Sequence, residues 1–229
     1  MALKIRIVCA TRVSAEAFHA ETALGRSLDH YKSYNFVELQ LFARNSSGLP
    51  VLYNQSLRDA VADPAILIFA HDDIHLCDFF WPNHLIEALS SFDVVGVAGN
   101  KRRVPYQSNW AFIDDKFTWD SAEHFSGIVA HGRGFPAKIM NFFGFPNQEV
   151  KLLDGLFLAA RSETLLSHEI VFDERFDFNF YDMDFCREVE RKKLRMGTCT
   201  ISIVHESGGN FDTPNWHAGY RKYLEKWHA

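Results

Sequence analysis

One stretch constrains this chain more than any other. Ile66-Leu67-Ile68-Phe69-Ala70 runs without interruption into His71-Asp72-Asp73. An apolar run of this length suits a strand covered on both faces of a sheet. Open α/β sheets place their ligands at the C-terminal ends of such strands. Two adjacent carboxylates there repel each other unless a cation or a donor sits between them. Mg²⁺ and Mn²⁺ need few protein oxygens when phosphates and water complete their shell. Taken alone, the pair is better explained by a solvated turn or a helix cap than by a cation site.

The surrounding pattern is that of a doubly wound α/β sheet. Strands are expected at 4–10, 36–42, 65–70 and 93–98, with helices at 14–28, 51–62 and 82–91 between them. Alternation of strands and helices with short connections implies parallel neighbours and right-handed crossovers. Residues 100–150 lack helical periodicity and read as irregular strands and loops reaching over the sheet edge. A strand follows at 150–160, broken at Asp154-Gly155, then a short helix from Ser162. Tyr181 to Leu194 has acids first and bases last, which matches the helix dipole, and Gly197 is the expected stop. A last strand spans 198–204 and a tail helix runs from Pro214 to Trp227.

The expected organisation is one domain over 1–229 with two functional halves, 1–100 and 101–210, and a C-terminal helix at 211–229. Net charge is −5 with no long basic run, which argues against a nucleic-acid partner. Cys9, Cys77, Cys186 and Cys199 show no metal-finger spacing and read as free thiols in a reducing compartment. No segment has the length of a transmembrane helix. The expected location is cytoplasmic, with peripheral membrane contact left open.

Three more features bear on chemistry. His205 directly follows the apolar run Ile201 to Val204 and is placed to join a metal. Asp182 and Asp184 open a helix, as caps or as a general base. Asp154-Gly155 is either a β-bulge or an acid exposed at a turn. Lys101-Arg102-Arg103 reads equally as a solvated loop or a phosphate contact. Trp110, Trp119 and Phe135 could stack on sugars or pack under a loop. Trp216, Tyr220, Tyr223 and Trp227, beside Arg221, Lys222 and Lys226, suit docking onto the domain or an interfacial helix.

The ordered set of motifs resembles the GT-A glycosyltransferases, most nearly the family-2-like bacterial enzymes. It is carried by Leu52-Tyr53-Asn54-Gln55, by Ile68 to Asp73, by Leu153-Asp154-Gly155-Leu156-Phe157-Leu158-Ala159-Ala160-Arg161, and by Phe172 to Phe176 leading to Phe180-Tyr181-Asp182-Met183-Asp184. The resemblance implies a GT-A fold with an open, mostly parallel sheet flanked by helices, with a nucleotide-binding role for the half at 1–100 and an acceptor and catalytic role for the half at 101–210. It implies a nucleotide-sugar donor, a carbohydrate or lipid-linked acceptor, Mn²⁺ or Mg²⁺ as cofactor, and inverting transfer in the synthesis of bacterial surface polysaccharide or glycoconjugate.

By that resemblance Asp73 and His205 are metal ligands, while His71 and Asp72 face the donor. Thr11 and Arg12 border the nucleobase, and Asn54 borders the nucleotide. Asp154 and Gly155 line the acceptor side. Asp182 matches the catalytic acid pair, in which Tyr181 stands where the family has Glu; this leaves the base between Asp182 and Asp184, with Asp154 as a further acid. The rival expectations are a nucleotidyltransferase and a non-catalytic sugar- or nucleotide-binding protein. The first lacks a glycine-rich phosphate loop after the first strand.

Overall fold

The computed structural model describes residues 4–228. In chain order the elements are β1 (Ile5–Ala10), α1 (Ala15–Glu21), α2 (Ala23–Leu28), β2 (Val37–Phe42), α3 (Leu49–Asp59), β3 (Ile66–Ala70), β4 (Ile74–Leu76), α4 (Trp81–Ser91), β5 (Val94–Gly96) and β6 (Ala98–Asn100). There follow β7 (Phe125–His131), β8 (Ile139–Gly144), β9 (Glu149–Val150), β10 (Leu152–Leu153), β11 (Phe157–Arg161), α5 (Ser162–Ser167), α6 (Tyr181–Arg191), β12 (Met196–Thr198), β13 (Ile203–His205) and α7 (Pro214–Trp227).

A seven-stranded sheet is ordered β2-β1-β3-β11-β5-β12-β9. Its strands β2, β1, β3, β5 and β12 run one way; β11 and β9 run against them. All of β3 is buried, as an apolar run between two strands and two helix layers requires. A second sheet, β10-β6-β7-β13-β4 with β8 on β7, covers the C-terminal end of the first.

Several boundaries differ from the sequence pattern, each for a local reason. The helix expected at 14–28 is two helices, because Thr22 ends α1 in an extended conformation and its hydroxyl caps α2 at the Gly25 amide. The strand expected at 93–98 divides at Val97, so that β5 stays in the large sheet and β6 joins the small one. The run at 198–204 divides likewise into β12 and β13. Gly197 does not stop α6. It lies in β12, where a Cβ would meet the Phe92 ring at 2.3 Å; Lys193, with φ of 61°, makes the left-handed turn instead.

The start of α6 is unusual. Phe180 precedes it in the left-handed region, φ 68° and ψ −1°, which costs a non-glycine residue about 1–2 kcal/mol. Its ring packs on Trp216, Tyr220 and Tyr223 of α7. Thr213 caps α7 at the Trp216 amide, and Pro214 fills its first turn. The tail aromatics therefore dock on the domain. Lys226 adds ion pairs to Asp173, Asp184 and Glu188, and the Trp227 indole donates to Asp184.

Candidate active site and metal centre

The end of β3 carries His71, Asp72 and Asp73 toward the second sheet. Antiparallel pairing of β13 with β4, and a hydrogen bond from the Glu206 amide to the Asp73 carbonyl, bring His205 beside them. His205 Nε2 lies 3.3 Å from Asp73 Oδ2, and His71 Nδ1 lies 4.0 Å from Asp73 Oδ1. One ligand atom from each of the three falls within 4.8 Å of the others. Asp73 Oδ1 is buried and has no hydrogen-bond partner among the described residues. A buried carboxylate oxygen without a donor is costly unless a cation takes its place.

The imidazole of His71 is prepared for the same role. The Tyr181 hydroxyl donates to the Gly155 carbonyl at 2.8 Å. Its single proton is thereby engaged, so at 2.9 Å from His71 it accepts from Nε2–H. Nδ1 is left as a bare lone pair on the Asp73 side. Burial holds the His71 pKa at about 4, so the ring is neutral near pH 7. Burial opposes the charge of Asp73, yet the hydrogen bond and charge of His205 bring its carboxyl down to about 2. Burial also acts against the charge of His205, but the bond to Asp73 raises its pKa. An anionic oxygen and two imidazoles, one with a bare nitrogen facing an unpartnered oxygen, fit a divalent cation. The candidate cluster thus includes, beside the expected pair Asp73 and His205, His71, placed by sequence reasoning on the donor side. Nothing near His71 signals this, since Tyr181 is 110 residues away.

Asp72 turns to the other side of the strand end. It accepts from the Thr11 hydroxyl at 2.6 Å, and the Arg12 charge acts on it. Burial raises its pKa against that bond. Thr11, Arg12 and Asp72 are thus together. Asn54 is elsewhere: its amide bonds the Phe172 backbone in both directions, at 2.8 and 2.9 Å, and the Glu174 carboxylate at 2.9 Å. That side chain fastens α3 to the 172–174 loop.

A cavity of roughly 440 Å³ opens beside this cluster. His71, His205, Asp154, Gly155, Tyr181 and Asp182 form its floor, and aromatic residues including Trp110, Phe112, Trp119 and Phe178 form its walls. No Lys or Arg is among the described residues that line it. Arg102 pairs with Asp120 and Arg103 with Glu190, so the two arginines of the basic cluster are engaged within the fold. Phe135 is outside the cavity.

Asp182 and Asp184 are separated by their helix. Asp182 lines the cavity and accepts from the Gly155 amide at 3.2 Å. Burial, reinforced by the nearby Asp154 charge, pushes its carboxyl up to about 7. Asp184 is fully buried outside the cavity, held by Lys226 and Trp227. Burial raises Asp154 too, although the His205 charge works against this. Gly155 lets these groups converge: a Cβ there would lie 2.5 Å from the Tyr181 hydroxyl and 2.9 Å from Asp182 Cβ.

A sequence profile of a glycosyltransferase-like family matches residues 11–226. The chain belongs to this family. No curated protein sequence matches the glycosyltransferase-like chain. Among solved structures it is similar to the catalytic domain of Drosophila beta1,4-galactosyltransferase 7 in complex with xylobiose, with a TM-score of 0.54 at 14% identity over 96% of this chain and 80% of that one. It is also similar to GalNAc-T7 with UDP, GalNAc and Mn²⁺, with a TM-score of 0.54 at 10% identity over 97% of this chain and 48% of that one. At such identities the likeness concerns the fold, which is that of the GT-A glycosyltransferases.

Proposed function

We propose that this glycosyltransferase-like chain moves a sugar from a nucleoside-diphosphate donor to an acceptor hydroxyl, with inversion at the anomeric carbon. The observation that carries the reading is Asp182. Its carboxyl, poised near pH 7, shares one cavity with His71 and His205, two of the three residues that could hold a cation. A base works best when its pKa lies near the working pH.

His71, Asp73 and His205 hold the cation. Two imidazoles and one carboxylate suit Mn²⁺ better than Mg²⁺, which favours oxygen ligands throughout. When bound, the cation supplies positive charge for the departing diphosphate, in a cavity lined by no Lys or Arg among the described residues. Thr11, Arg12 and Asp72 border the nucleoside. Asp182 takes the acceptor proton as the acceptor oxygen bonds to the anomeric carbon and the bond to the diphosphate breaks. Asp154 and the aromatic walls hold the sugars. The lining favours an uncharged carbohydrate as the acceptor's reacting part. Surface polysaccharide or glycoconjugate synthesis is the setting this chemistry suits.

The test is thermal stabilisation by UDP, GDP, CMP and dTDP, each with and without Mn²⁺. A ligand at a hundred times its Kd should stabilise by about 2.7 kcal/mol. One nucleotide should shift the melting temperature only with Mn²⁺, and Asp73→Ala should abolish that shift. No shift with any nucleotide, or an unchanged shift in Asp73→Ala, overturns the reading.

A further inference from the structure

Five of the twelve large hydrophobic side chains exposed among the described residues lie between Phe135 and Phe145. They belong to the β7–β8 hairpin and the residue just beyond it. Phe135 at the turn is 73% exposed, Met140 67%, Phe142 59% and Phe145 77%. Met140 and Phe142 share one face of β8, because side chains alternate along a strand. Phe142 and Phe145 meet edge to face at 5.4 Å. The opposite face of β8 carries Asn141 and Phe143, which line the cavity.

The charge of this segment is as uneven as its polarity. No Asp or Glu occurs from Phe125 to Gln148, in a chain with 29 acids and a net charge of −5. Arg133 and Lys138 stand in the turn, both exposed, and neither is within ion-pair distance of an acid among the described residues. Exposed aromatic and aliphatic side chains beside unneutralised cations form the pattern that partitions into the headgroup region of an anionic bilayer.

We propose that this hairpin is a docking surface for an anionic lipid bilayer. A second copy of the chain fits less well, since it would set Arg133 and Lys138 against their own like with no acid between them. The proposal extends the transfer reading: a bilayer on the outer face of β8 would bring a lipid-linked acceptor to the cavity behind it. Binding to lipid does not itself require that reading, so the two can fail separately.

Vesicle flotation tests it with the full chain, on phosphatidylcholine with and without phosphatidylglycerol. Two cations near a charged surface should favour the anionic vesicles by about thirtyfold, roughly fivefold each, and added salt should erode this. Arg133→Glu with Lys138→Glu should abolish the preference. Met140→Ser with Phe142→Ser should lower binding to both vesicle types about tenfold, with an unchanged melting temperature. If the serine pair fails to fold, the glutamate pair, on exposed turn positions, decides alone. The proposal is overturned by equal partition between the two vesicle types, by no binding, by variants that float like the wild type, or by a dimer in solution that the glutamate substitutions dissociate.

Discussion

The phenol oxygen of Tyr181 lies 2.9 Å from Nε2 of His71, and its own proton points to the Gly155 carbonyl. That direction fixes which imidazole nitrogen is bare. Tyr181 thus occupies the position of the expected acid without acting as one; burial holds its hydroxyl well above the usual phenol range, so it stays protonated. Partners that orient a ligating histidine are commonly worth ten- to a hundredfold in metal affinity. Tyr181→Phe should weaken Mn²⁺ binding about tenfold, measured by calorimetry without nucleotide. Equal affinity in the variant would show that the hydrogen bond does not set the tautomer.

As the proposed base, Asp182 should make transfer and stability depend on pH in opposite directions. Its pKa is about 7 in the folded chain against 3.8 for an ordinary aspartate. Between those values the folded chain keeps a proton that the unfolded chain has lost. Stability from this group is therefore full below pH 3.8 and lost as pH rises through 7. The base is competent only above that range, so kcat/KM should fall about tenfold per pH unit on the acid side. Asp182→Asn should lower transfer by roughly 10²–10⁴. It should also melt a few degrees above the wild type at alkaline pH, an advantage that shrinks in acid.

The Asp154 charge raises Asp182. Asp154→Asn should therefore move the acid limb of the rate profile to lower pH. A profile that stays in place would mean that burial alone sets the base.

Gly155→Ala tests the convergence of the floor. The added methyl meets both the Tyr181 hydroxyl and the Asp182 side chain. Mn²⁺ affinity and transfer should fall together in this variant. Loss of transfer with normal Mn²⁺ binding would mean that Tyr181 accommodates the methyl and only the base moves.

Lys226 is the counter-ion of a carboxylate with no exposure, Asp184. Removing one partner of a buried pair costs about 3–5 kcal/mol, because the remaining charge is stranded. Lys226→Ala should lose stability on that scale in chemical denaturation, and adding Asp184→Asn should restore part of it. If the second substitution restores nothing, the loss comes from packing of the lysine stem.

What could be read in the chain was what lies close in sequence. The apolar run before His71 marks a central strand, because burial on both faces leaves a direct compositional trace. Pro214 to Trp227 shows its helix through its spacing and its proline start. His205 is marked by the strand that precedes it. Strand direction leaves no such trace, so the reversal of β11 between β3 and β5 was not legible. Nor was the use of Asn54 as a brace, since its partners lie 118 and 120 residues away. The different surroundings of Asp182 and Asp184 depend on the position of α7, which covers Asp184 and leaves Asp182 facing the cavity.

The left-handed Phe180 has an evolutionary consequence. The residue immediately before the base-bearing turn holds a conformation it would not keep alone, and Tyr220 and Tyr223 help to keep it there. Neither tyrosine lines the cavity. If Asp182 is the base, as proposed, drift at these tail positions would still alter catalysis, through the angle at which Asp182 is presented. Under the proposed mechanism, selection on the reaction would therefore act on side chains that do not line the cavity, and changes of specificity could begin far from the substrate.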